Sequence, residues 1–169
     1  MPKRWADIFR QGNAVYQLNV LGEAAIASID RRFVDDVGFD IRTIRVLRLI
    51  GDNPGITFAE ITALTGLERS LTSRLIQVVV RGGLVERRNF ETDARRFGLH
   101  ITALGQKVRA RADLISARAL DLIFHDMPQA EIAAFSRTMV ALADRIDSDE
   151  YRDQISRMFE ALQTEGAEA

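Results

Sequence analysis

Arginines and short polar side chains are concentrated in one stretch of this 169-residue chain. Arg69, Ser70, Ser73 and Arg74 crowd the start of a predicted helix. Arg87-Arg88 and Arg95-Arg96 lie on two β-patterned stretches, LVERRNF and RRFGLHI, either side of Glu91-Thr92-Asp93-Ala94. A guanidinium is a permanent cation with five donors in a planar fork, which suits phosphate oxygens and guanine edges. No rival chemistry competes with this one. The two histidines, His100 and His125, fall in different elements, and His125-Asp126 reads as a helix-end interaction rather than a metal pair. No nucleophile–base pair, glycine-rich phosphate loop or paired-carboxylate motif is present, so neither an enzyme nor a cofactor is expected. The chain has no cysteine, which excludes disulfides, thiolate metal sites and thiol redox sensing.

The elements that position these residues are legible from turn chemistry. Thr57-Phe58-Ala59-Glu60 has the pattern of a capping box, and Gly66 can take the left-handed turn that ends the short helix after it. A second helix follows from about Glu68 to Arg81 and stops at Gly82-Gly83. Two strands around a polar turn complete the module, with Ile56 predicted as a short strand against them. Helix, tight turn, helix and basic hairpin is the order of a winged helix-turn-helix. In that arrangement the second helix enters the major groove and the hairpin reaches the neighbouring backbone or minor groove. The implied partner is double-stranded DNA.

Charge supports this placement. Residues 40–111 carry 13 Lys/Arg against 7 Asp/Glu, and residues 112–169 carry 5 against 12, although the whole chain stands at −1. A basic middle and an acidic tail fit a DNA-facing module with solvated helices beyond it. With 47% hydrophobic residues the composition is that of a globular domain. No apolar run approaches the roughly 18 residues of a membrane span and no signal peptide is visible, so a cytoplasmic location is expected.

Helical arms flank the module. Asn13 is a plausible N-cap for a helix to Asp36, preceded by a short amphipathic stretch with Trp5, Ile8 and Phe9. A helix over 40–52 is expected to bury Ile41, Ile44, Leu47 and either Leu49 or Ile50. Thr102 should cap a long helix to about His125. Pro128 should occupy the first position of the next, whose Ile132, Phe135, Met139, Leu142 and Ile146 form a coiled-coil-like seam. The seam breaks at residues 147–150 and resumes at Tyr151, Ile155, Met158 and Leu162. The organisation is therefore 1–39, an N-terminal arm; 40–105, the reader; and 106–169, C-terminal helices. The fold class is mainly α, a winged helix-turn-helix with a small β-hairpin wing between dimerisation helices. Surplus apolar surface on the arms points to a homodimer, whose two-fold axis would let two helices read a palindrome.

Residues 40–105 resemble the MarR-type (multiple antibiotic resistance) regulators. The resemblance rests on RVLRLIGDNPGIT, LERSLTSRLI and GGLVERR, on Asp93-Ala94-Arg95 at the wing tip, and on Ile101-Thr102-Ala103-Leu104-Gly105. It implies that Arg69, Ser70, Leu71, Ser73, Arg74 and Gln77 face the groove. It further implies that Asp93 braces the wing, Arg95 enters the minor groove, and Arg87, Arg88 and Arg96 add backbone contacts. A small, aromatic or anionic organic effector in a cleft beside the dimer arms is implied as well, with repression released when it binds. Tyr16, Arg42, Arg45 and Phe124 are candidate effector residues, with packing as their competing role.

Three features depart from that pattern. Leu71-Thr72 stands where a small polar residue and valine are usual, so Leu71 either meets a thymine methyl or turns inward. Val78 and Val80 replace usually polar positions. The wing carries Asn89-Phe90 and lacks the common proline. A covered flank on the second helix leaves open an alternative reading, a winged-helix module that binds protein without reading DNA.

Overall fold

The computed structural model describes residue 9, residues 13–90 and residues 93–167, with the backbone alone described at 90, 93–96 and 165–167. The elements run α1 Ala14–Val37, α2 Ile41–Asp52, α3 Phe58–Thr65, α4 Arg69–Arg81, β1 Val85–Phe90, β2 Asp93–Ile101, α5 Ala103–Ile123, α6 Gln129–Asp147 and α7 Asp149–Ala167. Two compact units divide at Leu120, Met1–Leu120 and Asp121–Ala169. Trp5 and Ile8 lie outside the described residues. No described helix is long and apolar enough to cross a membrane.

Side chains that satisfy free N–H groups set the helix starts. Asn13 accepts from the Tyr16 N–H at 2.9 Å, and Asp40 accepts from the Thr43 N–H at 2.6 Å. At α3 both halves of the capping box form: Thr57 Oγ1 accepts from the Glu60 N–H, and Glu60 accepts from the Thr57 N–H at 2.8 Å. Gly66 closes α3 with φ of 62°, as its sequence position suggests. Thr102 caps α5 by accepting from the Gly105 N–H at 3.0 Å. The same hydroxyl donates to the Gly83 carbonyl at 2.7 Å, tying the helix start to the end of α4.

The core of the first unit is built by the module. Ile44, Val46, Leu47 and Ile50 of α2 meet Ile61 of α3, Leu75, Ile76 and Val79 of α4, and Leu84, Val85 and Leu99 of the hairpin. Phe33 and Val37 of α1 and Ala112 of α5 join the same cluster. The expected burial on α2 is corrected at Ile41, which is only half-buried while Val46 and Thr43 are buried; of Leu49 and Ile50, Ile50 is the buried one. β1 and β2 are antiparallel, with Val85 opposite Ile101 and Arg87 opposite Leu99. Ile56 adds a single bridge to Leu99, its carbonyl accepting from the Leu99 N–H at 3.0 Å.

Four boundaries differ from those expected of the sequence. Asp93 and Ala94 belong to β2 rather than to the turn, and the register shifts between Asn89 and Phe90, which pairs with Asp93. α5 ends at Ile123 rather than near His125. Pro128 is the N-cap of α6, because its ψ of 139° is extended and not helical. The break before α7 is a single residue, Ser148.

Two close approaches admit only glycine. A Cβ at Gly98 would stand 2.5 Å from the Gly55 carbonyl oxygen, and one at Gly105 would strike the Leu84 carbonyl oxygen. Both obstacles are backbone and cannot rotate away. Gly98→Ala and Gly105→Ala should each cost about 1–3 kcal/mol as overpacking. Gly22 in α1 has open space around it, so Gly22→Ala should be neutral or gain about 0.5–1 kcal/mol. Urea midpoints compare the three directly; an unchanged midpoint for Gly105→Ala would mean that α5 does not press on the Leu84 carbonyl.

Candidate nucleic-acid interface

One face of α4 faces the core and the opposite face carries the polar set. Thr72, Leu75, Ile76 and Val79 are buried at the spacing of a single helical stripe, as the sequence predicts. Thr72 fits this apolar stripe because its hydroxyl donates to the Glu68 carbonyl at 3.1 Å. Arg69, Ser70, Arg74 and Gln77 are exposed and Ser73 is half-buried. At 3.6 residues per turn these five fall within an arc of about 140°, opposite the buried stripe. Gln77 Nε2 reaches Ser73 Oγ at 3.5 Å along that face. Leu71 lies off this arc, half-buried against the core; Val80 falls within the arc at the last turn yet is also half-buried against the core, and Val78, off the arc, is 38% exposed. Arg81 is exposed on the polar arc at the far end of the helix. Its spacing, four residues after Gln77 and seven after Arg74, is the signal that could have picked it out.

The α4 start has no side-chain cap, Glu68 making no such bond. Its first N–H groups are therefore left for water or an anion. Arg69, the first residue of the helix, lies over the Phe58 ring with its guanidinium carbon 5.3 Å from the centroid.

The hairpin sorts its arginines by strand alternation. Glu86 and Arg88 share one face and form an ion pair. Arg87 is on the other face, with Val85 and Leu99, and lies over the Phe97 ring at 4.9 Å. The backbones of Asp93, Arg95 and Arg96 belong to β2; their side chains lie outside the described residues.

A set of ion pairs that long separation hides in the sequence holds α5 against the module. Arg48 donates to Asp113 at 2.6 Å and to Ser116 at 2.8 Å, and Arg109 donates to Asp52 at 2.6 Å. Arg111 grips Asp36 of α1 with two bonds of 2.9 Å. The Asp52 hydrogen bond, opposed by burial and aided by the charges of Asp52 and Asp113, holds the Arg109 proton more tightly than usual. Asp36 does the same for Arg111. Both stay charged at any working pH, so these clamps respond to salt and to carboxylate protonation rather than to loss of an arginine proton.

Arg42 lines a cleft of about 210 Å³ with Glu23, Ile26, Ala27, Asp30 and Asp40. Three carboxylates face one arginine there, and Arg42 is paired with Glu23 at 3.6 Å. An anion would have to displace Glu23. Tyr16 and Arg45 are exposed on α1 and α2 outside those walls. Phe124 packs on Phe135 with centroids 6.2 Å apart, which is a packing role within the second unit. Among the described residues no cluster of His, Asp and Glu could hold a metal ion.

Helix, turn, helix and hairpin on one core define a winged-helix protein. Residues 37–96, spanning that helix-turn-helix and most of the hairpin, match the model of the MarR family. The crystal structure of MarR is 20% identical, with a TM-score of 0.72 over 94% of this chain and 97% of that one. PcaV of Streptomyces coelicolor, in complex with its natural ligand, gives 21% and 0.65 over 78% and 92%. A MarR-family protein of Mycobacterium tuberculosis, in complex with salicylic acid, gives 17% and 0.66 over 78% and 97%. No curated protein matches the sequence. The chain has the MarR-type winged-helix fold, and the resemblance carried by residues 40–105 is borne out.

Proposed function

We propose that the chain is a transcription regulator that binds duplex DNA sequence-specifically as a homodimer on a pseudo-palindromic operator, and represses. The observation that carries this reading is the α4 face on which the exposed Arg69, Ser70, Arg74 and Gln77 and the half-buried Ser73 stand together, with their helix anchored through the opposite stripe. A rigidly mounted helix with arginine and small hydroxyls outward is what base-edge readout requires. Sequence selection from random duplex DNA tests it, because the recovered site gives both the bases and their symmetry. Recovery of no common sequence would leave phosphate binding alone.

Arg74→Ala should weaken binding to the selected duplex by about 1–3 kcal/mol and relax preference at one position. Equal weakening on unrelated duplexes would make Arg74 a phosphate contact.

Repression released by a small organic ligand is part of the same proposal, supported by the ligand complexes of the M. tuberculosis protein and PcaV. Without a cysteine, peroxide should not release the DNA through a thiol. The second reading, a protein-binding winged helix, draws on Val78 and on Leu64, which is 65% exposed. A protein with no duplex affinity in a gel shift would favour it.

A further inference from the structure

Two of the arginines on this surface are stacked before any ligand arrives. Arg69 lies over Phe58 and Arg87 over Phe97, at 5.3 and 4.9 Å. Among the described residues neither guanidinium is paired with a carboxylate, whereas Arg88 is held by Glu86 and Arg48 and Arg109 by aspartates. The rings are themselves anchored. Phe58 packs against the hydrophobic core beside the α3 capping box. Phe97 is fixed in β2 opposite Asn89, one pair along from Leu99 on the same face, and is 37% exposed.

We propose that Phe58 and Phe97 are positioning residues which order Arg69 and Arg87 for contact with DNA. This rests on the DNA-binding reading above. An arginine in solution samples many rotamers and loses them when it meets a phosphate or a base edge. A ring beneath the guanidinium restricts that freedom in the free protein, while the in-plane donors stay available at the edge. Stacking neutralises no charge, unlike an ion pair, so the cation keeps its full attraction for the polyanion. Arg69 stands at the first turn of α4 and Arg87 on the hairpin, so the pair fixes one guanidinium on each of the two DNA-facing elements.

Phe97→Leu keeps an apolar side chain and removes the ring, and Phe97→Tyr restores a ring. Binding to mixed-sequence duplex DNA and to the selected duplex should weaken about two- to ten-fold in Phe97→Leu and recover in Phe97→Tyr. In an Arg87→Ala background Phe97→Leu should add nothing, because its target is gone. Phe58→Leu should behave alike with Arg69→Ala, a thermal melt separating any loss of fold. In the DNA-free protein, the Arg69 and Arg87 Nε–H order parameters should exceed that of Arg74, and that of Arg87 should fall in Phe97→Leu. If Arg87→Ala weakens binding and Phe97→Leu does not, the positioning role is wrong and the DNA reading stands. If Arg87 is as mobile as Arg74 in the free protein, the positioning role is also wrong. If no variant, nor the unmodified protein, binds duplex DNA, the functional reading falls and takes this role with it.

Discussion

Affinity for duplex DNA should fall by about 10³–10⁵ between 50 and 200 mM salt, the release expected for roughly six to ten neutralised phosphates shared by two subunits. The whole chain gives no reason to expect so steep a slope: its net charge is −1 and its pI about 6.1. The slope must come from local charge. Arg69, Arg74 and Arg81 stand on one face of α4 and Arg87 and Arg88 on the hairpin. Of these, Arg88 is shared with Glu86 and should release fewer counterions. The seven-charge negative excess of residues 112–169 weakens the long-range field, so electrostatic steering toward DNA should be modest while the local phosphate contacts set the slope. Titrations at four salt concentrations would give the slope. A flat log–log plot would sink the DNA reading whatever the affinity at one concentration.

What the sequence made legible were the features written in short-range chemistry. The capping box at Thr57 and Glu60, the Asn13 and Thr102 caps and the stripe at 72, 75, 76 and 79 each depend on residues at most a few turns apart. Every one of them appears in the structure. The α4 polar face follows from the same periodicity, once the buried side is known. The wing boundary did not follow, because a strand can absorb polar residues such as Asp93 wherever backbone pairing continues. The clamps from Arg48 and Arg109 to Asp113 and Asp52 join residues 57 to 65 positions apart, and no local pattern marks them. Nor did composition reveal that Phe58 and Phe97 lie under arginines. Aromatic residues in a helix start and in a wing read as packing, and only the three-dimensional register puts a guanidinium above each ring.

Charging the C-terminal helices should break the proposed homodimer while leaving each helix formed. In α6 no residue is buried, and Phe135, Met139, Leu142 and Ile146 are exposed at four- and three-residue spacing. In α7, Met158, Phe159 and Leu162 are exposed likewise. A helix whose apolar stripe meets water gains little from packing within one chain, so a partner surface is the economical way to bury it. The helices of a single chain nonetheless hold one another at their junction. Arg145 bonds Glu150 at 2.8 Å and Gln154 at 2.8 Å, and Arg152 bonds Asp147 and Asp149, both at 2.7 Å. Leu142→Asp with Phe159→Asp would therefore remove the proposed intersubunit contacts without touching those bonds. If each is an interface anchor worth at least about 2 kcal/mol, the dimer should weaken by on the order of 10³-fold. Sedimentation at micromolar concentration should show the unmodified protein as a dimer and the double variant as a monomer of unchanged helix content. DNA affinity should fall with it, since a monomer reads one half-site. A double variant that stayed dimeric would place the two-fold contact on other surfaces, and a variant that lost its helices would show that these residues hold the single chain together.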